Sequence, residues 1–243
     1  MNDRILVIIP SFNVAKTIAS VIEGVKSELP DADIVVINDG SSDDTAEIAL
    51  REGADVVSLY HNIGYGAALQ TGYLYARLNG YDIVVQMDGD GQHDPSSLKT
   101  LLRPIFSGDA DVVVGSRFLG ETGYKPSFSR RIGMGLFGLT ASLVIRQKVT
   151  DPTSGFQAMR RPVVELFCTD VFPVDYPDAD VLILLHFAKF RIREVPVKMY
   201  MPEKGKSMHR GHKNIYYIFK MFLSIAVTLL RQKPAGGRLC PRK

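Results

Sequence analysis

The sequence predicts an α/β protein built on a doubly wound, mostly parallel sheet with helices on both faces. Short unbroken apolar runs rich in Ile and Val recur at residues 5–9, 34–37, 56–59, 83–85 and 112–114. That composition belongs to strands buried on both faces. Amphipathic stretches of helical length lie between them, near residues 14–28, 43–51, 65–78 and 95–106. Strand and helix therefore alternate at βαβ spacing. Small and polar residues crowd just after the strands, where open α/β sheets bind ligands.

Taken in order, strand one ends in Pro10-Ser11-Phe12-Asn13 and strand two in Asn38-Asp39-Gly40-Ser41-Ser42-Asp43. Ser41 or Asp43 is placed to cap the second helix. Strand four runs into Met87-Asp88-Gly89-Asp90-Gly91-Gln92-His93, and Asp94-Pro95 then opens the fourth helix. Strand five ends in Gly115-Ser116-Arg117. Residues 120–127 read as a loop, 130–149 as a helix with small residues on one face, and 151–155 as a turn. Further helices are expected near 162–168 and 181–190, a strand at 192–197, and an apolar helical stretch at 213–230.

The chain of 243 residues, 46% hydrophobic and 23% charged, is long enough to bury a core and too apolar for intrinsic disorder. Cys168 and Cys240 form neither a disulfide framework nor a zinc motif, which suits a reducing compartment. No signal peptide is visible, and no apolar run is long enough to cross a bilayer. The net charge of +3 is uneven. From Lys198 onward eleven Lys and Arg face one acid, Glu203, so the first 197 residues sum to −7. A basic end on an acidic body suits an anionic partner such as phosphate, nucleic acid or lipid head groups.

Asp88 and Asp90 are the strongest candidates for chemistry. Two carboxylates one residue apart at a strand end can face one hard cation, Mg2+ or Mn2+, and Gly89 and Gly91 let the backbone bend to bring them together. Gln92 and His93 are candidate further ligands. The bland alternative is an acidic loop that satisfies helix N-termini. Asp39 reads either as a ligand for a nucleoside or as an Asx turn. The segment Asn62-Ile63-Gly64-Tyr65-Gly66-Ala67-Ala68 allows close approach of a ligand or a strand, but it is no Walker motif. Strand one carries no G-x-G-x-x-G, which disfavours NAD binding, and no G-x-S-x-G elbow is present. A sugar nucleotidyltransferase would need a Gly-rich phosphate loop at residues 11–15, which contain no Gly.

These residues together resemble a known family. Ile8-Ile9-Pro10-Ser11-Phe12-Asn13, Val36-Ile37-Asn38-Asp39-Gly40-Ser41-Ser42-Asp43, the 62–69 segment and Gln86-Met87-Asp88-Gly89-Asp90-Gly91-Gln92-His93 look like inverting family 2 glycosyltransferases of GT-A fold. Gly115-Ser116-Arg117, residues 151–156, Glu194-Val195-Pro196-Val197 and Gly205-Lys206-Ser207 extend the likeness over about residues 4–210. The branch it resembles is the dolichol-phosphate mannosyltransferase-like, or polyprenyl-phosphate glycosyltransferase, group.

The resemblance implies roles for particular residues. Pro10, Phe12, Asn13, Asp39 and Gly66, with Asp88 and the Gly89 backbone, would bind the nucleotide of a nucleotide-sugar. Asp88, Asp90 and Gln92 would hold a divalent cation. Arg117 would act in catalysis by meeting a phosphate of donor or acceptor, and Arg130, Arg131, Lys204 and Lys206 would meet the acceptor phosphate. Asp180 stands where the family usually has Glu, and it reads equally as a base, an acceptor-site carboxylate or a helix-start acid. Three departures stand out. Val14 replaces a usual Glu, Tyr65 replaces a common basic residue, and Pro202 replaces an Arg that often precedes the Gly-x-Ser loop.

The implied organisation is a catalytic domain at 1–210, an amphipathic helix at 211–233 and a disordered basic tail at 234–243. The 16 residues 215–230 would span about 24 Å as a helix, short of a hydrocarbon core of roughly 30 Å. They suit an interfacial helix with snorkelling Lys220, or else a helix packed on the domain or on a second copy. The expected protein is cytoplasmic and peripheral on the inner face of the membrane. It would use a nucleotide-sugar donor and a polyprenyl phosphate or, alternatively, a saccharide hydroxyl acceptor. Nucleic acid is not an expected partner.

Overall fold

The computed structural model describes residues 3–120, 128–175, 177–200, 223–225, 227 and 228, with the side chains of 128–136 left out. One seven-stranded sheet organises it, in the order β3-β2-β1-β4-β6-β5-β7. The strands are β1 (Ile5–Ser11), β2 (Asp33–Asn38), β3 (Asp55–Ser58), β4 (Ile83–Gln86), β5 (Val112–Ser116), β6 (Gln157–Arg160) and β7 (Ile192–Pro196). All but β6 run in one direction; β6 lies antiparallel between β4 and β5. The helices are α1 (Ile18–Glu28), α2 (Thr45–Arg51), α3 (Tyr65–Leu78), α4 (Leu98–Phe106), α5 (Phe128–Ile145), α6 (Arg161–Phe167) and α7 (Ala179–Phe187).

Strand alternation divides the core into two layers. Leu6 and Ile8 of β1 pack with α3, α6 and α7 on one face, while Val7 and Ile9 pack with α1 and α4 on the other. All four side chains are fully buried, each contributing about 1.5–3 kcal/mol relative to exposure. This two-sided burial is why the run reads as unbroken apolar sequence. The chain winds outward from β1 through β2 to β3, then returns to add β4 on the other side of β1. The reversal opens a crevice at the carboxyl ends of β1 and β4, the standard ligand position in such sheets.

The expected strands and helices are present with shifted ends. α1 starts at Ile18 rather than at residue 14 because 14–17 form a turn that serves the crevice: Thr17 Oγ1 donates to the Gly89 carbonyl at 2.7 Å. α5 ends at Ile145, and α7 at Phe187, each followed by a residue of positive φ, Arg146 and Lys189. Asp94 caps the turn Pro95–Ser97 before α4 as expected, accepting from the Ser96 amide at 2.9 Å. Strand β6 was not expected. No described helix is long and apolar enough to cross a membrane. The described residues at 223–225, 227 and 228 are helical; Ile225 is buried in the core, while Leu223 and Val227 are exposed. The remainder of 211–233, and the tail at 234–243, lie outside the described residues.

Candidate active site

Three loops are laced together at the crevice. After β1, Asn13 adopts φ 53° and its side-chain oxygen accepts from the Ser42 amide at 2.9 Å. Its own amide donates to Ser41 Oγ at 3.0 Å, and the Ala15 amide donates to Asp43 at 3.1 Å. Asp43 also accepts from the Thr45 amide at the start of α2, so it caps that helix while Ser41 is spent on Asn13. Pro10 is buried within β1, whereas the Phe12 ring is 48% exposed at the strand end.

Asp39 is buried and accepts two backbone amides, Ile63 at 2.8 Å and Gly64 at 3.0 Å. It thereby fixes the loop that leads into α3. The turn reading and the ligand reading thus meet in one residue: the loop amides take one lone pair of each oxygen, and a carboxylate has others to offer. Gly66 lies in the first turn of α3. Its Cα faces the Val174 backbone, where an added Cβ would lie 2.3 Å from the carbonyl oxygen. Its lack of a side chain serves packing of α3 rather than approach of a ligand on that side.

Asp88 follows β4 with its side chain 28% exposed. Tyr65 Oη donates to its Oδ1 at 2.9 Å. Burial pushes the Asp88 carboxyl above the ordinary range, opposed by the Tyr65 hydrogen bond and the Arg117 charge. Burial, then the charge of Asp88, pushes the Tyr65 hydroxyl well above its ordinary value, so it remains a donor. Gly155 borders both carboxylate oxygens, a Cβ there lying 3.2 Å from Oδ2 and 3.3 Å from Oδ1, and His93 Nε2 stands 3.7 Å from Oδ2. Gly89 sits against β1, where a Cβ would meet Ser11 Oγ at 2.6 Å.

Asp90 is exposed, and its Oδ1 accepts from the Gln92 amide at 3.0 Å. The Gln92 side-chain nitrogen bonds its Oδ2, so Gln92 can serve a cation only through its Oε1. His93 supports the Asp88 loop, with its Nε2 3.7 Å from Asp88 Oδ2. Its ring is buried and stacked on Phe156 at 4.8 Å, and its Nδ1 accepts from the Asp88 amide at 3.1 Å. Burial pushes its pKa down to about 4, so it stays neutral and pins the loop. Among the described residues no three His, Cys, Asp or Glu side chains gather as a metal cluster. A hard cation that is shared with substrate phosphates does not need one. Two carboxylates, an Asp88 Oδ2 that the Tyr65 hydrogen bond leaves unclaimed and the small Gly155 beside it fit such an ion.

Arg117, expected to meet phosphate, is buried in an ion pair. Its Nε and Nη2 donate to Asp151 at 2.7 and 2.6 Å, and Nη2 reaches Thr153 Oγ1 at 2.9 Å. Glu194 of β7 accepts from the amides of Thr150 and Asp151 and so clamps the same turn. Through these bonds the guanidinium supports the 151–155 turn beside Asp88.

Asp180 begins α7 and is 1% exposed. Its Oδ1 accepts from the amides of Asp178 and Val181, and its Oδ2 from Ser224 Oγ. Burial pushes its carboxyl up, and these hydrogen bonds oppose the rise. Arg130 and Arg131 lie in the first turn of α5, but their side chains, and all of Lys204 and Lys206, lie outside the described residues.

Comparison with known proteins agrees with this architecture. The polyprenol monophosphomannose synthase of Mycolicibacterium smegmatis is 31% identical, over 90% of this chain and 85% of its own length. The UDP-N-acetylglucosamine–dolichyl-phosphate N-acetylglucosaminyltransferase of Methanococcus voltae is 31% identical, over 91% of this chain and 95% of its own. Among solved structures, glucosyl-3-phosphoglycerate synthase from Mycobacterium tuberculosis, in complex with Mn2+, uridine diphosphate and glucosyl-3-phosphoglycerate, superposes with a TM-score of 0.70. It is 23% identical, covering 97% of this chain and 82% of its own, and shares the fold. The family model described as Glycosyl transferase family 2 matches residues 6–167. With that match over most of the chain, and with the laced loops at the ends of β1, β2 and β4, this protein belongs to glycosyl transferase family 2.

Proposed function

We propose that this chain transfers a sugar, with inversion, from a nucleotide-sugar to a polyprenyl phosphate at the cytoplasmic face of a membrane, with a divalent cation. The observation that carries the donor half is Asp88: a partly buried carboxylate at the switch point, held through Oδ1 by Tyr65, with Oδ2 lined by Gly155 and 3.7 Å from His93 Nε2. Asp88 and Asp90 would hold Mg2+ or Mn2+, and Gln92 Oε1 would add a third oxygen. Such an ion supplies positive charge against the charge that builds on a departing diphosphate. Pro10, Phe12, Asn13 and Asp39 would take the nucleoside, the exposed Phe12 ring offering a stacking face.

The acceptor half rests on the names of the two relatives and on Asp180. A sugar hydroxyl must lose its proton on attack, which asks for a free base. Asp180 is enclosed, and both of its oxygens already accept hydrogen bonds. A lipid phosphate oxygen is already anionic and needs no such base, which favours the polyprenyl acceptor. The segment around Ile225 would then seat one face on the catalytic body and turn Leu223, Val227 and the basic flanks toward anionic lipid.

Radiolabelled nucleotide-sugars offered to the full chain with polyprenyl phosphate in vesicles test this. Label is expected in a solvent-extractable, acid-labile lipid product. Label found only in water-soluble saccharide would favour the hydroxyl acceptor and overturn the proposal.

A further inference from the structure

The network beneath Asp88 has a fixed direction. Tyr73 Oη donates to Gln86 Oε1 at 2.5 Å, and Gln86 Nε2 donates to Tyr65 Oη at 3.0 Å. An amide offers donors only on its nitrogen. Once Tyr73 claims the oxygen of Gln86, the nitrogen must face Tyr65. The single proton of Tyr65 is then left to point at Asp88 Oδ1, 2.9 Å away. Tyr73 and Gln86 are both buried, and Gln86 is held in β4 between Ile8 of β1 and Gln157 of β6. Gly155 lets the phenol in, since a Cβ there would lie 2.6 Å from Tyr65 Oη. The chain of bonds therefore runs from the centre of the sheet to one oxygen of the carboxylate and stops there.

We infer that Tyr65 is a positioning residue: anchored through Gln86 and Tyr73, its phenol fixes the rotation of the Asp88 carboxylate so that Oδ2 is presented to the divalent cation. The inference rests on the cation site proposed above and goes beyond it by assigning a role to a residue one layer removed. It also gives a reason for tyrosine at a position where the resembled family commonly carries a basic side chain. A cation beside Asp88 would compete with a divalent ion for the same carboxylate, whereas a phenol orients the carboxylate without adding charge. Groups that orient metal ligands in this way typically set metal affinity over one to two orders of magnitude.

The test measures Mn2+ binding to the full chain, in the presence of UDP or GDP, from loss of the free-ion electron paramagnetic resonance signal. Wild type is expected to bind. Tyr65→Phe, which keeps the ring, is expected to bind Mn2+ about tenfold more weakly. Its kcat should be largely recovered at high Mn2+, and its melting temperature should lie near that of the wild type. Tyr73→Phe releases the Gln86 amide but leaves the Tyr65–Asp88 contact in place, and should weaken Mn2+ binding by less than Tyr65→Phe does. Should Tyr65→Phe fail to fold, Gln86→Met, which frees the phenol, carries the test and is expected to weaken Mn2+ binding. Unchanged Mn2+ affinity in Tyr65→Phe, or in Gln86→Met where that variant carries the test, overturns the inference while wild-type binding keeps the cation site standing. A loss in Tyr73→Phe larger than that in Tyr65→Phe also overturns it, because the effect would then not pass through the phenol. No Mn2+ binding by the wild type with either nucleotide overturns the cation site, and the role of Tyr65 with it.

Discussion

Asp151 grips Arg117 through both carboxylate oxygens, at 2.6 and 2.7 Å, and the two side chains are 0% and 9% exposed. Removing one member leaves the other charged and buried. Arg117→Ala is expected to destabilise the fold by about 3–5 kcal/mol. Arg117→Lys should recover only part of this, because an ammonium cannot reproduce the planar fork. Urea denaturation measures both. In a double-mutant cycle with Asp151→Ala, the two losses should fall well short of adding.

Gly66 lies where α3 meets the backbone of Val174. A methyl group cannot fit there without moving main chain. Gly66→Ala is expected to cost about 1–3 kcal/mol by overpacking, read from the urea midpoint. A neutral result would mean that the contact with Val174 gives way freely.

The raised carboxyl of Asp88 has a signed consequence for stability. Burial holds its proton on in the folded state to higher pH than the unfolded value near 3.8. Stability from this group is therefore present in acid and lost as pH rises through the raised folded value. Asp88→Asn carries no such penalty and can still accept from Tyr65. Its melting temperature should exceed that of the wild type at pH 7, with the gap closing toward pH 4, while metal-dependent turnover is abolished. Thermal melts across that pH range, in the absence of divalent ions, check the sign.

Ile225 and its neighbours Leu223 and Val227 separate two roles of the carboxyl-terminal helical segment. Ile225 is 3% exposed within the core, and Ile225→Ala should cost about 2–5 kcal/mol. Leu223 and Val227 are exposed. Replacing both with Ser should leave stability within about 0.5 kcal/mol of the wild type yet reduce co-sedimentation with anionic vesicles. Undiminished sedimentation would remove this face from the membrane contact.

The positions of β1, β2, β4 and β5 were legible because two-sided burial writes unbroken apolar runs such as 5–9 and 112–114. Strand β6 was not legible. Gln157-Ala158-Met159-Arg160 has polar ends and no β-branched residue, and it becomes a strand because β4 and β5 supply the ladder on either side. The position of Asp88 and Asp90 after β4 could be read, since a carboxylate pair at a strand end needs only local order. The partners of Arg117 and Asp180 could not. Asp151 stands 34 residues from Arg117, and Ser224 stands 44 from Asp180. In both cases a charged side chain that looked available in sequence is engaged by a distant one. His93 shows the same limit: its stacking on Phe156, 63 residues away, and its bond to the Asp88 amide could not be read from the sequence.

A thermal-shift screen of nucleotide-sugars with and without Mn2+, on the wild type and on the Asp88→Ala, Asp90→Ala double variant, tests most directly whether this carboxylate pair handles the donor diphosphate. A bound donor raises apparent stability by mass action. At least one nucleotide-sugar should raise the melting temperature of the wild type only when Mn2+ is present, and the shift should vanish in the folded double variant. A shift that is indifferent to Mn2+ and survives loss of both aspartates would contradict the account.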